Sequence, residues 1–156
     1  MYRSALAVLA AVSLAVTTGC SAFHTDHAAA QTSTKQLTFV AVPKGGDGVD
    51  NAPKGPSVGD EYFEHGVLEK TDHSTAGSFV FVTQLIAGTA DSGQEQQSIT
   101  LHLADGDITA IAGIASQDSY TVPILGGTGH YTGARGVLAA KAGSDDTATI
   151  TLTMEN

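Results

Sequence analysis

The sequence predicts an all-β protein: an eight-stranded antiparallel barrel following a cleaved signal peptide. Three observations carry this expectation. From Lys35 onward, short β-type segments alternate with Gly, Asp, Asn and Pro clusters. No amphipathic helical pattern of useful length interrupts them. The stretch Gly126 to Gly136 then places five glycines in eleven residues between two such segments, a density that specifies backbone rather than side chains. With no helices to cover sheet edges, consecutive antiparallel strands are best closed into a barrel, which removes the edges altogether.

The chain has 156 residues, one domain's worth, and 42% of them are hydrophobic. Aromatics are 6% and Trp is absent, so the expected core is mostly aliphatic. Sixteen acidic residues against seven basic ones give a net charge of −9, with no cluster of Lys or Arg. That balance argues against a nucleic-acid partner, since phosphate binding requires a basic footprint.

Residues 1–19 read as a targeting segment. Arg3 supplies a positive start, and Ala5 to Val16 an apolar run of twelve residues. A bilayer-spanning helix needs roughly 20. Cys20, the only cysteine, follows Gly19 at the end of that run and resembles the lipid-accepting cysteine of a bacterial lipobox, with Thr17 where that motif has a branched apolar residue. The resemblance implies a diacylglyceryl Cys20, a membrane as partner through that anchor, and an extracytoplasmic location, with plain secretion as the alternative. Two acyl chains suffice for stable anchoring where one does not. A single cysteine allows no intrachain disulfide. Residues 20–34 are small and polar without periodicity and read as a flexible tether to a domain over residues 35–156. His24, Asp26 and His27 in that tether are read as tether polarity rather than metal ligands.

The strands expected are Gln36 to Val42, Asp60 to Lys70, Ser78 to Ala87, Gln97 to Ala104, Ile108 to Ala115, Tyr120 to Leu125, Gly133 to Lys141 and Thr147 to Met154. The last is the clearest. Ala148, Ile150, Leu152 and Met154 alternate with four threonines, a period of two that puts one set in a core and the other in water. Ile99, Leu101 and Leu103 alternate in the same manner, and Asp105-Gly106 is a strong two-residue hairpin signal.

In the glycine run, Gly126, Gly127 and Gly129 are expected to permit positive φ or close backbone approach at a tight connection. Gly133, Ala134 and Gly136 keep side chains minimal where a strand bends at a barrel corner. A phosphate-cradling loop is the competing reading, and its context is missing: no P-loop Lys follows, the spacing is not G-x-G-x-x-G, and no helix adjoins. Tyr131 is read as a corner-packing aromatic, and Arg135 as the partner of an acid on a neighbouring strand.

Ser57-Val58-Gly59-Asp60, Asp105-Gly106-Asp107-Ile108 leading to Gly113, and Gly126 through Gly136 resemble the ordered motifs of the allene oxide cyclase-like barrels, the last motif being shared closely with the related dirigent proteins. This resemblance implies an eight-stranded barrel with an apolar cavity and, by analogy with plant members, a homotrimer. Plant allene oxide cyclases are similar but use a carboxylate on the first strand, and Leu37 to Val42 contains none. Their cavity-facing third-strand cysteine corresponds to about Thr83. No catalytic residue, cofactor or metal is therefore assigned from the resemblance.

Placing Thr83 on the cavity side sets a parity in which Phe79, Phe81, Thr83 and Leu85 face inward and Val80, Val82 and Ile86 outward. An apolar outer patch marks an interface. In the second strand either Tyr62, Glu64 and Leu68 or Phe63, His65 and Val67 face inward; Tyr62 and Glu64 are the candidate cavity lining. A carboxylate in an apolar cavity has its pKa raised by desolvation and can act as a general acid or base. His65, His73, His102 and His130 fall at no metal-ligand spacing. Three function classes follow: a membrane-tethered binder of a small apolar or amphipathic molecule; an isomerase or cyclase using Glu64 with Tyr62; and a structural or interaction protein with a filled barrel.

Overall fold

A computed structural model describes residues 33–89, 92–115 and 118–155. The signal segment, Cys20 and the His24–His27 cluster lie outside them. Eight strands follow in order: β1 Thr34–Val49, β2 Glu61–Glu69, β3 Thr75–Ala87, β4 Gln94–Leu103, β5 Gly106–Ala115, β6 Ser119–Gly127, β7 Arg135–Ala142 and β8 Ala148–Glu155. Each pairs antiparallel with the next, and β1 pairs with β8 to close the barrel.

Alternation decides which face is core. Phe39 and Ala41, Leu68, Phe79, Ile99 and Leu101, Ile108 and Ala110, Val122 and Ile124, Leu138 and Ala140, then Ile150, Leu152 and Met154 all point inward and pack as one cluster. Full burial of each large aliphatic is worth about 1.5–3 kcal/mol, which leaves the interior as the main source of stability. The threonines of β8 point away from that core. No helix among the described residues is long and apolar enough to cross a membrane.

Two features depart from the sequence reading. The first strand runs to Val49 rather than stopping at Val42, because a register shift between Pro43 and Gly45 absorbs the proline and lets pairing with β2 continue. Its pairing with β8, however, ends at Ala41 opposite Ala148. The two strands part there, and this parting positions the site described below.

The second departure is the glycine run. β6 ends at Gly127, Gly129–Tyr131 forms a short 3₁₀ turn, and β7 begins at Arg135, so Gly133 and Ala134 belong to the connection and not to a bent strand. The connection lies over the β4–β5 hairpin. Thr128 N–H donates to Asp107 O at 2.9 Å, His130 N–H to Asp105 O at 2.8 Å, and Asp107 N–H to Thr128 Oγ1 at 2.9 Å. Gly129 has φ +56°, and a Cβ there would strike Asp105 O. Tyr131 is buried at this end beneath the Lys35 ammonium, which sits 5.6 Å from its ring centroid. Arg135 stands opposite Glu155 in the β7–β8 register but is exposed and makes no ion pair among the described residues, in contrast to the expected acid partner. One end of the barrel is thus capped by the glycine-rich connection.

A cavity at the open end

At the opposite end, the parting of β1 from β8 leaves a cavity of about 720 Å³. Pro43, Gly45 and Gly46 form its β1 side, Glu64 projects from β2, and Asp118 and Tyr120 from the start of β6. Ala140 to Ala142, Asp145, Asp146, Thr147 and Ala148 complete it from the β7–β8 hairpin. The hairpin turn is closed by Thr147 N–H donating to Ser144 O at 3.2 Å, with Asp145 and Asp146 both in the left-handed region at φ +59°. Asp tolerates that conformation better than most residues, though Asn-Gly is the favoured pair there.

Strand pairing selects the phase of β2. Glu64 lies opposite Phe81 on β3 and Gly46 on β1, and Tyr62 lies opposite Thr83, so Tyr62, Glu64, Gly66 and Leu68 share the inner face. Gly66 has a packing reason. A Cβ there would collide with Val42 O and the Phe79 ring, which occupies the space instead. The Phe79 and Phe81 rings, 4.6 Å apart and tilted by 39°, form part of the packed interior.

The cavity lies nearer the mouth than the expected lining. Of Phe79, Phe81, Thr83, Leu85, Tyr62 and Glu64, only Glu64 borders it. Phe79 and Leu85 are fully buried, Phe81 packs against the core and Thr83 is half-buried. Tyr62 is exposed at the rim. An eight-stranded interior is just wide enough to be filled by its own side chains, and these aromatics fill it.

Electrostatics single out three groups on the inner wall. Burial pushes the Glu64 carboxyl above its ordinary value, the charge of Asp146 adds to the effect, and His65 opposes it. No hydrogen-bond donor among the described residues reaches that carboxylate. Tyr120 is pushed up to about 12, chiefly by burial, with the Gln97 amide beside it pulling the other way and Glu64 and Glu95 raising it further. The phenol therefore stays protonated at physiological pH. Gln97 Oε1 is buried without a partner. Sequence reading missed Tyr120 and Gln97, although a signal existed: Tyr120 shares the parity of Val122 and Ile124, and Gln97 that of Ile99 and Leu101.

Asp60 and the other members of its motif build the rim. Asp60 accepts from Asn51 N–H and Ser57 N–H, each at 2.8 Å, and Gly59 N–H donates to Leu85 O. The histidines remain apart. His65 faces outward opposite Gly45, His73 lies 3.4 Å from Glu69, His102 lies 2.9 Å from Asp107, and His130 meets Tyr131 edge-on. Among the described residues no three His, Cys, Asp or Glu side chains converge as a metal site would require.

Comparison with solved structures places this architecture. A pyocyanin demethylase superposes with a TM-score of 0.70 at 22% identity, over 77% of this chain and 99% of that one. An exo-specific intermolecular Diels-Alderase gives 0.64 at 16% identity, over 80% and 99%. A pterocarpan synthase dirigent protein gives 0.61 at 17% identity, over 79% and 94%. This is the dirigent- and cyclase-type barrel fold. It is the fold that the resemblance to the allene oxide cyclase-like barrels implies, and at these identities the likeness extends to fold alone. No family model matches the chain, and neither does any curated protein.

Proposed function

We propose that this protein is an extracytoplasmic barrel, anchored through a lipidated Cys20, that binds a small amphipathic molecule in the open end. The observation supporting this reading is the division of the interior into a packed, capped half and an open cavity of about 720 Å³ carrying an inward carboxyl. That volume lies within the range of small-molecule sites. The neighbouring solved structures are named for proteins that act on small organic molecules, which agrees with such a use of the fold. Native mass spectrometry of the gently purified full chain is the direct test, and a co-purified small molecule lost on Glu64→Trp is the expected result. No bound molecule, together with no thermal shift across a panel of lipids and aromatic compounds, overturns it. Intact-mass measurement tests the anchor: an acylated N-terminal cysteine, abolished in Cys20→Ser, is expected.

A second reading is favoured by one observation. Glu64 and Tyr120 both line the cavity, close enough for the carboxylate's charge to be felt by the phenol. A carboxyl with a raised pKa can take up and return a proton on a bound substrate, and a phenol protonated at physiological pH can donate a hydrogen bond to the charge that develops. The partner of Glu64 in this scheme is Tyr120 from β6 and not Tyr62, which sits at the rim. If the bound molecule is turned over, Glu64→Gln abolishes turnover while retaining binding; unchanged turnover in that variant removes Glu64 from the chemistry.

A further inference from the structure

Resting on the reading of the open cavity as a ligand site, we infer that its ligand class is cationic: a flat or compact apolar body bearing an ammonium or similarly charged, hydrogen-bond-donating group. The wall offers acceptors with little to satisfy them. Glu64 projects into the cavity and, among the described residues, no donor reaches it and no side-chain hydrogen bond engages the carboxylates of Asp118, Asp145 and Asp146 around it. A half-buried carboxylate without a donor of its own is stabilised by a ligand that donates a charge-assisted hydrogen bond to it.

Charge points the same way. Asp118, Asp145 and Asp146 stand at the rim around Glu64, and Lys141 is the one cationic side chain of the lining. An anion entering this space meets four carboxylates against the single ammonium of Lys141, whereas a cation relieves the mutual repulsion of Glu64 and Asp146. Pro43, Ala140 and Ala148 supply apolar wall for the rest of the molecule.

The experiment uses the full chain in detergent and three probes sharing one aromatic body: 1-naphthylmethylammonium, 1-naphthylmethanol and 1-naphthoate. Affinities are read by titration calorimetry at pH 7 in low and high salt. The cation is expected to bind about tenfold tighter than the alcohol, and the carboxylate more weakly than either, with high salt weakening the cation alone. Glu64→Gln and Asp146→Asn should each cut the cation's advantage severalfold and leave the alcohol unchanged. Asp146 lies in an exposed turn, so that variant reports on charge even if Glu64→Gln perturbs the wall. Equal binding of cation and alcohol, tighter binding of the carboxylate, or a preference unaffected by both variants overturns the cationic assignment while leaving the cavity a ligand site. Binding by none of the three, with no other small molecule bound, overturns the underlying reading as well.

Discussion

Asp60 and Glu64 lie four residues apart at the same end of the barrel, yet their surroundings act on them in opposite directions. Asp60 is buried but accepts three hydrogen bonds, from Ser57 N–H, Asn51 N–H and Ser57 Oγ, which hold its carboxyl below its ordinary 3.8. Glu64 has burial without donors, so its carboxyl is raised above 4.5. The signs follow by linkage. A lowered folded pKa contributes stability that is present above pH 3.8 and lost as pH falls through the folded value. A raised one means that ionisation costs stability, a cost absent below pH 4.5 and complete once pH exceeds the folded value. Asp60→Asn should therefore lower the melting temperature clearly at pH 7, with the gap narrowing below about pH 4. Glu64→Gln should raise it slightly at pH 7, with the gain vanishing as pH falls below 4.5. Melting curves of the two variants against the parent from pH 3 to 8 check both signs, and a gain for Glu64→Gln that persists at pH 3.5 contradicts the raised pKa.

At the scale of elements, the connection over residues 128–134 separates two roles of glycine. Gly129 and Gly133 both have positive φ, but a Cβ at Gly129 strikes Asp105 O, whereas Gly133 faces open space. Gly133→Ala should cost about 1–2 kcal/mol from backbone conformation alone. Gly129→Ala adds a steric clash and should cost about 2–5 kcal/mol, with the loss appearing in denaturant midpoints at unchanged m-value. Equal costs would mean that the hairpin beneath yields freely and that the cap is loose. The β-ladder is legible in the sequence because β4 and β8 carry clean alternation, whereas Pro43 and the glycines after it mask the second half of β1, where a register shift absorbs the proline. The 3₁₀ turn of Gly129-His130-Tyr131 has no periodic signal to find. In β2, aromatic residues at both Tyr62 and Phe63 left the phase ambiguous, and only pairing with β3 resolves it. Tyr120 comes beside Gln97 and within reach of the Glu64 charge through pairing across the barrel, a relation that local pattern does not encode.

Across the whole molecule, the capped and open ends have different neighbours along the chain. β1 begins at the capped end, and the cavity opens at the far end. The outer surface is less uniform than a solitary barrel requires. Val80, Val82 and Ile86 are exposed at 36–42%, and Phe63, directly opposite Val82, is exposed as well. These side chains form an apolar strip on the outer face of β2 and β3, and we propose that it is covered by further copies of this chain in a homotrimer. A stable contact buries roughly 800 Å² per partner, so the strip would serve as the centre of a patch completed by His65, Ser98 and Thr100 alongside it. Placing a charge at the centre should be decisive, because an unpaired buried charge costs several kcal/mol whereas the same charge in water costs little. Val82→Glu is expected to convert the trimer to monomer in light scattering at about 10 μM without lowering the melting temperature of the isolated barrel, and Lys141→Glu, on another face, to leave the assembly intact. A parent chain that scatters as a monomer at that concentration, or a Val82→Glu variant that remains trimeric, places the interface elsewhere or removes it.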